Sequence, residues 1–195
     1  MLSISKRRQF VIGIALLGLM AATRGQHIAT LTALPDASWA IFLIAGVLLA
    51  SPWWLAALLG GALLTDMVVW NTTMSANFCI TAAYGFLLPA YGSLWLGGRW
   101  LRQRLSGHLG DLPRFVVAIL GGTAACELFS SGGFYFFSGR FTDTSLAGFA
   151  ARFVEYFPGS LSAMTFYATI AAVLYAAFTI LQPTNLAQGE HRHSH

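Results

Sequence analysis

Apolar residues fall in six runs along the chain, separated by short breaks rich in polar residues, glycine or proline. The first run goes from Phe10 to about Ala22, after the basic start Lys6-Arg7-Arg8. The second goes from about Leu34 to Ala50, where Ser51-Pro52 interrupts it. The third covers Trp53 to Trp70, the fourth Phe78 to about Leu101, the fifth Leu112 to about Ser130, and the sixth about Gly159 to Leu181. A membrane-crossing helix needs about 20 apolar residues, each rising 1.5 Å. The last four runs reach or approach that length, and the first two are shorter. The pattern predicts an all-α integral membrane protein with six transmembrane helices in a single domain, and a polar tail over residues 183–195. The first run also fits a cleavable signal peptide, having a basic start, a short apolar stretch and Ala21-Ala22. We take it as a retained helix.

Composition strengthens this picture. Hydrophobic residues make up 56% of the 195 residues and charged residues only 9%, and the mean hydropathy is +0.66. Soluble domains carry about 25% charged residues, so a soluble enzyme, a nucleic-acid binder and a disordered chain are all excluded. The net charge of +4 sits beside the apolar runs, where Lys and Arg set membrane orientation. With the N-terminus inside, the inner segments carry Lys6, Arg7, Arg8, Arg99, Arg102, Arg104, Arg114 and Arg192. The outer segments carry Arg24, Arg140 and Arg152. Six spans return the C-terminus to the inside, and both termini are expected in the cytoplasm of a bacterial cell. Three outer loops follow, at about 23–33, 71–77 and 131–158. The last is too long for a bare connector. Its aromatic stretch Phe134-Tyr135-Phe136-Phe137 lies between glycines, and can either cover a flat ligand or sit at headgroup level as an aromatic belt.

Several chemistries have no residues to carry them. The chain has no phosphate-binding loop of the G-x-x-x-x-G-K-[ST] type, no H-E-x-x-H zinc motif and no G-x-S-x-G elbow. The acidic residues Asp66 and Glu127 are expected near the outer ends of their helices. That leaves no acidic chain at mid-membrane depth of the kind that ion-coupled carriers use. No internal repeat is evident either. The tail His191-Arg192-His193-Ser194-His195 is a weak metal-binding tract at the cytoplasmic end, and is set aside.

The candidate functional residues gather on the outer side. Cys79 heads the fourth run in Asn77-Phe78-Cys79-Ile80. It can be a small buried hydrophobe. Alternatively, the helix N-terminus can lower its thiol pKa and present a thiolate to a cavity, as a transition-metal ligand or a nucleophile. Cys126, deeper in the fifth run, reads as a packed core residue. His27 is the one histidine expected outside, and imidazole is the commonest metal ligand. Asp66, Trp70, Asn71 and Asn77 border the same outer mouth. Tyr135, Arg140, Asp143, Arg152, Glu155 and Tyr156 belong to the long loop, as ligand contacts or as solvated residues. In the first run, the small residues Gly13, Ala15, Gly18 and Ala22 allow close helix approach, either inside the fold or toward a partner membrane subunit.

Six short hydrophobic helices in this length, cytoplasmic termini, a basic start and three outer loops resemble the substrate-binding S-components of energy-coupling-factor (ECF) vitamin transporters. Within that group, Asn77-Phe78-Cys79-Ile80 after Trp70-Asn71 resembles the BtuM-type cobalamin transporters of Gram-negative bacteria. The resemblance covers nearly the whole chain from Lys6 to Leu181. It implies vitamin B12 (cobalamin) uptake across the inner membrane, with the vitamin held in an outward-facing cavity and Cys79 matching the cysteine that ligates its cobalt. A thiolate there can displace the vitamin's own benzimidazole, and His27 can approach the opposite axial face. Phe134, Tyr135, Phe136 and Phe137 can cover the corrin, while the polar loop residues meet its amides. A thiolate on one axial face also weakens a bond to cyanide on the other, so assisted decyanation is a further expectation. The family implies an ECF module, a membrane coupling subunit with ATPases, as partner. Two alternatives remain: an S-component for a different vitamin, and a membrane thiol enzyme using Cys79 and His27.

Overall fold

A computed structural model describes residues 4–24, 34–73, 82–105 and 109–180. They form six α-helices: α1 (Lys6–Arg24), α2 (Ser38–Leu48), α3 (Trp53–Thr73), α4 (Leu87–Arg104), α5 (Leu112–Phe137) and α6 (Leu146–Ile180). Single 3₁₀ turns at Ala82–Phe86 and Leu109–Asp111 lead into α4 and α5. No strand occurs among the described residues. The fold is all-helical.

The shortest helix is the core. α2 has 11 residues, about 16 Å at 1.5 Å per residue, and packs against each of the other five helices. Ile41, Phe42, Leu43 and Ala45 are buried on it. Phe42 stacks on Tyr91 of α4, with ring centroids 4.3 Å apart. Two glycines let α2 and α4 approach this closely. A Cβ on Gly98 would lie 2.1 Å from the Leu43 carbonyl oxygen, and one on Gly46 would lie 2.3 Å from that of Trp95. Any side chain at either position would push the helices apart.

Polar contacts define two ends of the bundle. At one end, Arg99 donates to the carbonyls of Leu49 (3.1 Å) and Ala50 (3.0 Å), and Arg102 to that of Val47 (3.3 Å). These cations satisfy the last carbonyls of α2 and oppose its negative dipole end. Gln9 joins them there, accepting from the Ala50 N–H at 2.8 Å. At the opposite end, Arg24, Ser38, Asp66 and Tyr84 meet. α1 and α3 therefore run one way, and α2 and α4 the other.

The second half departs from the expected boundaries. α5 continues past Ser130 to Phe137, and α6 starts at Leu146 rather than Gly159. The expected loop over 131–158 shrinks to the connector 138–145. Gly132-Gly133 does not end α5, because tertiary packing uses the missing side chain: a Cβ on Gly133 would fall 2.4 Å from the Phe86 ring. The actual stop is Ser138-Gly139, where Gly139 has φ +71°, a left-handed conformation that favours glycine. Pro158 lies inside α6, which runs through it.

α5 and α6 are long and apolar enough to cross a membrane. The core helix of a soluble protein would bury such a stretch. Here only 28% of the α5 window and 11% of the α6 window is buried. Leu112, Val117, Leu128, Val173 and Leu174 are among the large apolar side chains left exposed.

Candidate binding mouth

The end opposite Arg99 holds the densest polar network in the apolar bundle. Arg24 is the last residue of α1, and its side chain is 10% exposed. It pairs bidentately with Asp66 of α3, Nε to Oδ1 at 2.6 Å and Nη2 to Oδ2 at 2.7 Å. Its Nη1 donates to the Tyr91 hydroxyl at 2.6 Å and to Ser38 Oγ at 3.1 Å. Tyr84, in the 3₁₀ turn, donates to Asp66 Oδ2 at 2.6 Å. Ser38 in turn donates to Asp36 through its hydroxyl (2.6 Å) and backbone N–H (2.9 Å). The cost of burying the guanidinium is offset by the facing Asp66 carboxylate. The ion is fixed. It ties together α1, α2, α3, the 3₁₀ turn and α4.

Two residues after Tyr84, Phe86 stacks on Phe137 at 4.8 Å. The 3₁₀ turn thus links the ion pair to the aromatic end of α5. Tyr135 is 6% exposed. Its ring packs against Phe136, Phe141 and Phe149. Its hydroxyl accepts from the Ser145 N–H at 3.2 Å and donates to the Asp143 carbonyl at 3.4 Å. Arg152 of α6 lies over Phe141 (4.6 Å), Tyr156 (5.5 Å) and Tyr135 (5.9 Å). Cation–π contacts of this kind hold an arginine without an acid.

These contacts correct one expectation. The run Phe134 to Phe137 is the last turn of α5, not a loop. Tyr135 holds the connector 138–145 against the helices through its hydroxyl. Asp66 is committed to Arg24 and Tyr84, and serves to position the mouth. Asn71 is exposed and its amide donates back to the Met67 carbonyl at 2.8 Å. Arg140, Asp143, Glu155 and Tyr156 are exposed around the connector and the start of α6. Trp70 lies on α3. Cys79, His27 and Asn77 lie outside the described residues.

Sequence reasoning missed Arg24 and Tyr91. Arg24 was counted as a loop cation, yet a lone arginine closing one apolar helix and a lone aspartate within another are natural partners, because unpaired charges are costly in such surroundings.

A second buried polar site lies deeper. Glu127 of α5 is 2% exposed. It accepts from Ser131 Oγ on its own helix and from Ser160 Oγ of α6, the latter at 2.7 Å. It was expected near a helix end. Because α5 reaches Phe137, it lies about 15 Å inside that end at 1.5 Å per residue. Cys126 beside it is fully buried, as a packed core cysteine should be.

No protein-family model matches the chain, and a comparison with the curated proteins finds no match.

Proposed function

We propose that this chain is a six-span protein of the bacterial inner membrane that takes up vitamin B12, binding cobalamin at the Arg24–Asp66 end in the manner of an ECF S-component. The carrying observation is the place of Tyr84 and Phe86. Cys79 precedes their 3₁₀ turn by three residues, and that turn is anchored on one side to Asp66 and on the other to α5. The segment that follows Cys79 in sequence thus belongs to the Arg24–Asp66 end, the end that the Lys and Arg distribution assigns to the outside.

The chemistry fits the cargo. Cobalamin has a broad apolar macrocycle rimmed by amides and a cobalt with two axial positions. A cysteine thiolate is a suitable soft ligand for that metal. Displacing the benzimidazole leaves the vitamin base-off, and an imidazole such as that of His27 is a suitable ligand for the other face. The exposed Asn71 and Tyr156 offer polar groups to the amide rim. A thiolate on one axial face would weaken the bond to cyanide on the other, assisting its departure as the cyanide anion with the bonding pair while the cobalt keeps its oxidation state.

The bilayer is the natural partner of the exposed apolar sides of α5 and α6. α1 offers a face to an ECF module. A Cβ on Gly13 would meet the Trp54 ring at 2.3 Å, so that glycine serves internal packing. Ala15, Gly18 and Ala22 are exposed, and nothing lies within 4 Å of a Cβ placed at Gly18.

The test is retention. Purified protein is incubated with cyanocobalamin and passed through a gel-filtration column. One corrin per chain should co-elute. A colourless protein contradicts the reading, and turnover of a thiol-reactive substrate without retention would favour a membrane enzyme instead.

A further inference from the structure

The Arg99 end of the bundle is built in the opposite way to the mouth. Cations gather there with almost no acids among them. Lys6-Arg7-Arg8 open α1, and Arg99, Arg102 and Arg104 lie on the last turns of α4. The one acid at this end among the described residues is Asp111, which is buried and paired with a further cation, Arg114. Asp36, Asp66, Asp143 and Glu155 belong to the far end, and Glu127 to the interior of α5.

The turn after α2 brings the two basic groups together. The Ala50 N–H donates to Gln9 of α1 at 2.8 Å, and the Ala50 carbonyl accepts from Arg99 Nη1 at 3.0 Å. Lys6 stands three residues before Gln9 and so shares its helix face. Lys6 and Arg99 therefore flank the Ala50 turn. Arg99 uses only Nη1 on the α2 carbonyls, which leaves Nε and Nη2 without a hydrogen bond among the described residues. Lys6, Arg7 and Arg104 are exposed. Arg104 lies over the Trp100 ring at 4.7 Å, a contact that orients it and spends none of its N–H groups. Trp53, just past the turn, is 80% exposed, and Phe10 and Val11 stand exposed after the basic start of α1.

Guanidinium and ammonium donors without facing carboxylates suit phosphate oxygens. Exposed tryptophan and apolar side chains beside them suit the boundary between headgroup and acyl chain. We propose that this end binds the headgroup phosphates of anionic phospholipids, with Lys6, Arg7, Arg99 and Arg104 as donors and Trp53 at headgroup depth. The inference rests on the membrane part of the reading above and not on the vitamin, which is judged separately by corrin retention.

The experiment is thermal unfolding of the purified full chain in dodecyl maltoside micelles carrying phosphatidylglycerol or, at the same mole fraction, phosphatidylcholine. The midpoint should rise with phosphatidylglycerol and saturate, because a ligand that binds only the folded state stabilises it by mass action. Phosphatidylcholine, whose phosphate is neutralised by its own ammonium, should give no such rise, and neither should sodium phosphate in plain micelles. In Lys6→Gln and in Arg104→Gln, half-saturation should need about fivefold more phosphatidylglycerol, the loss of about 1 kcal/mol for one cation near an anionic surface. Both side chains are exposed, so these variants should fold as the wild type does. Arg140→Gln removes the same charge at the far end and should leave half-saturation in place. Equal midpoints in the two lipids overturn the site, as does a shift in Arg140→Gln as large as in the other two variants. A rise reproduced in full by sodium phosphate overturns the lipid as its ligand. A chain that stays in solution without detergent contradicts the membrane reading itself, and this site with it.

Discussion

Asp66, half-buried on α3, and Glu127, buried on α5, are handled in opposite ways. Asp66 faces a bidentate arginine and a tyrosine hydroxyl. Glu127 faces two serines and no cation. Asp66 is finished within the chain: charge is matched by charge, and five elements converge on the pair. Glu127 meets neutral hydroxyls only, and a turn away the buried Thr123 hydroxyl has no hydrogen-bond partner. One acid ties five elements together, and the other joins α5 to α6 through Ser160.

Removing each charge separates the two roles most strongly. Asp66→Asn removes the bidentate partner of the buried Arg24 and leaves it only Asp36, at 3.9 Å; breaking a buried pair from one side costs about 3–5 kcal/mol. Glu127→Gln breaks no ion pair and should cost only about 1 kcal/mol, the value of a hydrogen bond. Thermal unfolding of the two variants measures the gap, and equal losses would remove the distinction. Tyr84→Phe sharpens the Asp66 side. It deletes one hydrogen bond to a charged group and should cost about 1.5–3 kcal/mol, together with reduced corrin retention as the turn after Cys79 loosens. Retention equal to wild type would show that this turn does not organise the mouth. Thr123→Val is the smallest change and has the opposite sign. Replacing an unsatisfied buried hydroxyl with a methyl should be neutral or stabilising by up to about 1 kcal/mol. A destabilisation would mean that the hydroxyl has a partner in the fold.

The helical class and α1 to α3 were legible from the apolar runs, whereas α4 starts at Leu87, after the 3₁₀ turn, and not at Phe78. α3 starts at Trp53 as expected and runs to Thr73, three residues past Trp70. α2 begins at Ser38, after Pro35-Asp36, and is shorter than its apolar run. The second half was misread at its glycines and its proline. Local rules end a helix at Gly132-Gly133 or before Pro158. Here Phe86 fills the space above Gly133, and α6 carries Pro158 within its length. The first outcome depends on a residue distant in the chain. The same holds for the mouth. Asp66 was recognisable as a charge in an apolar run, but its pairing with Arg24 spans 42 residues and leaves no local pattern. Glu127 was placed by a helix end that was seven residues short.

The central claim is that Cys79 presents a thiolate to cobalamin at this mouth. The visible spectra of wild type and Cys79→Ala after incubation with cyanocobalamin and gel filtration test it most directly. The account predicts a co-eluting corrin with a base-off, thiolate-shifted spectrum in the wild type, and loss of that spectrum in Cys79→Ala. Identical spectra from the two proteins, or no corrin on either, would contradict it.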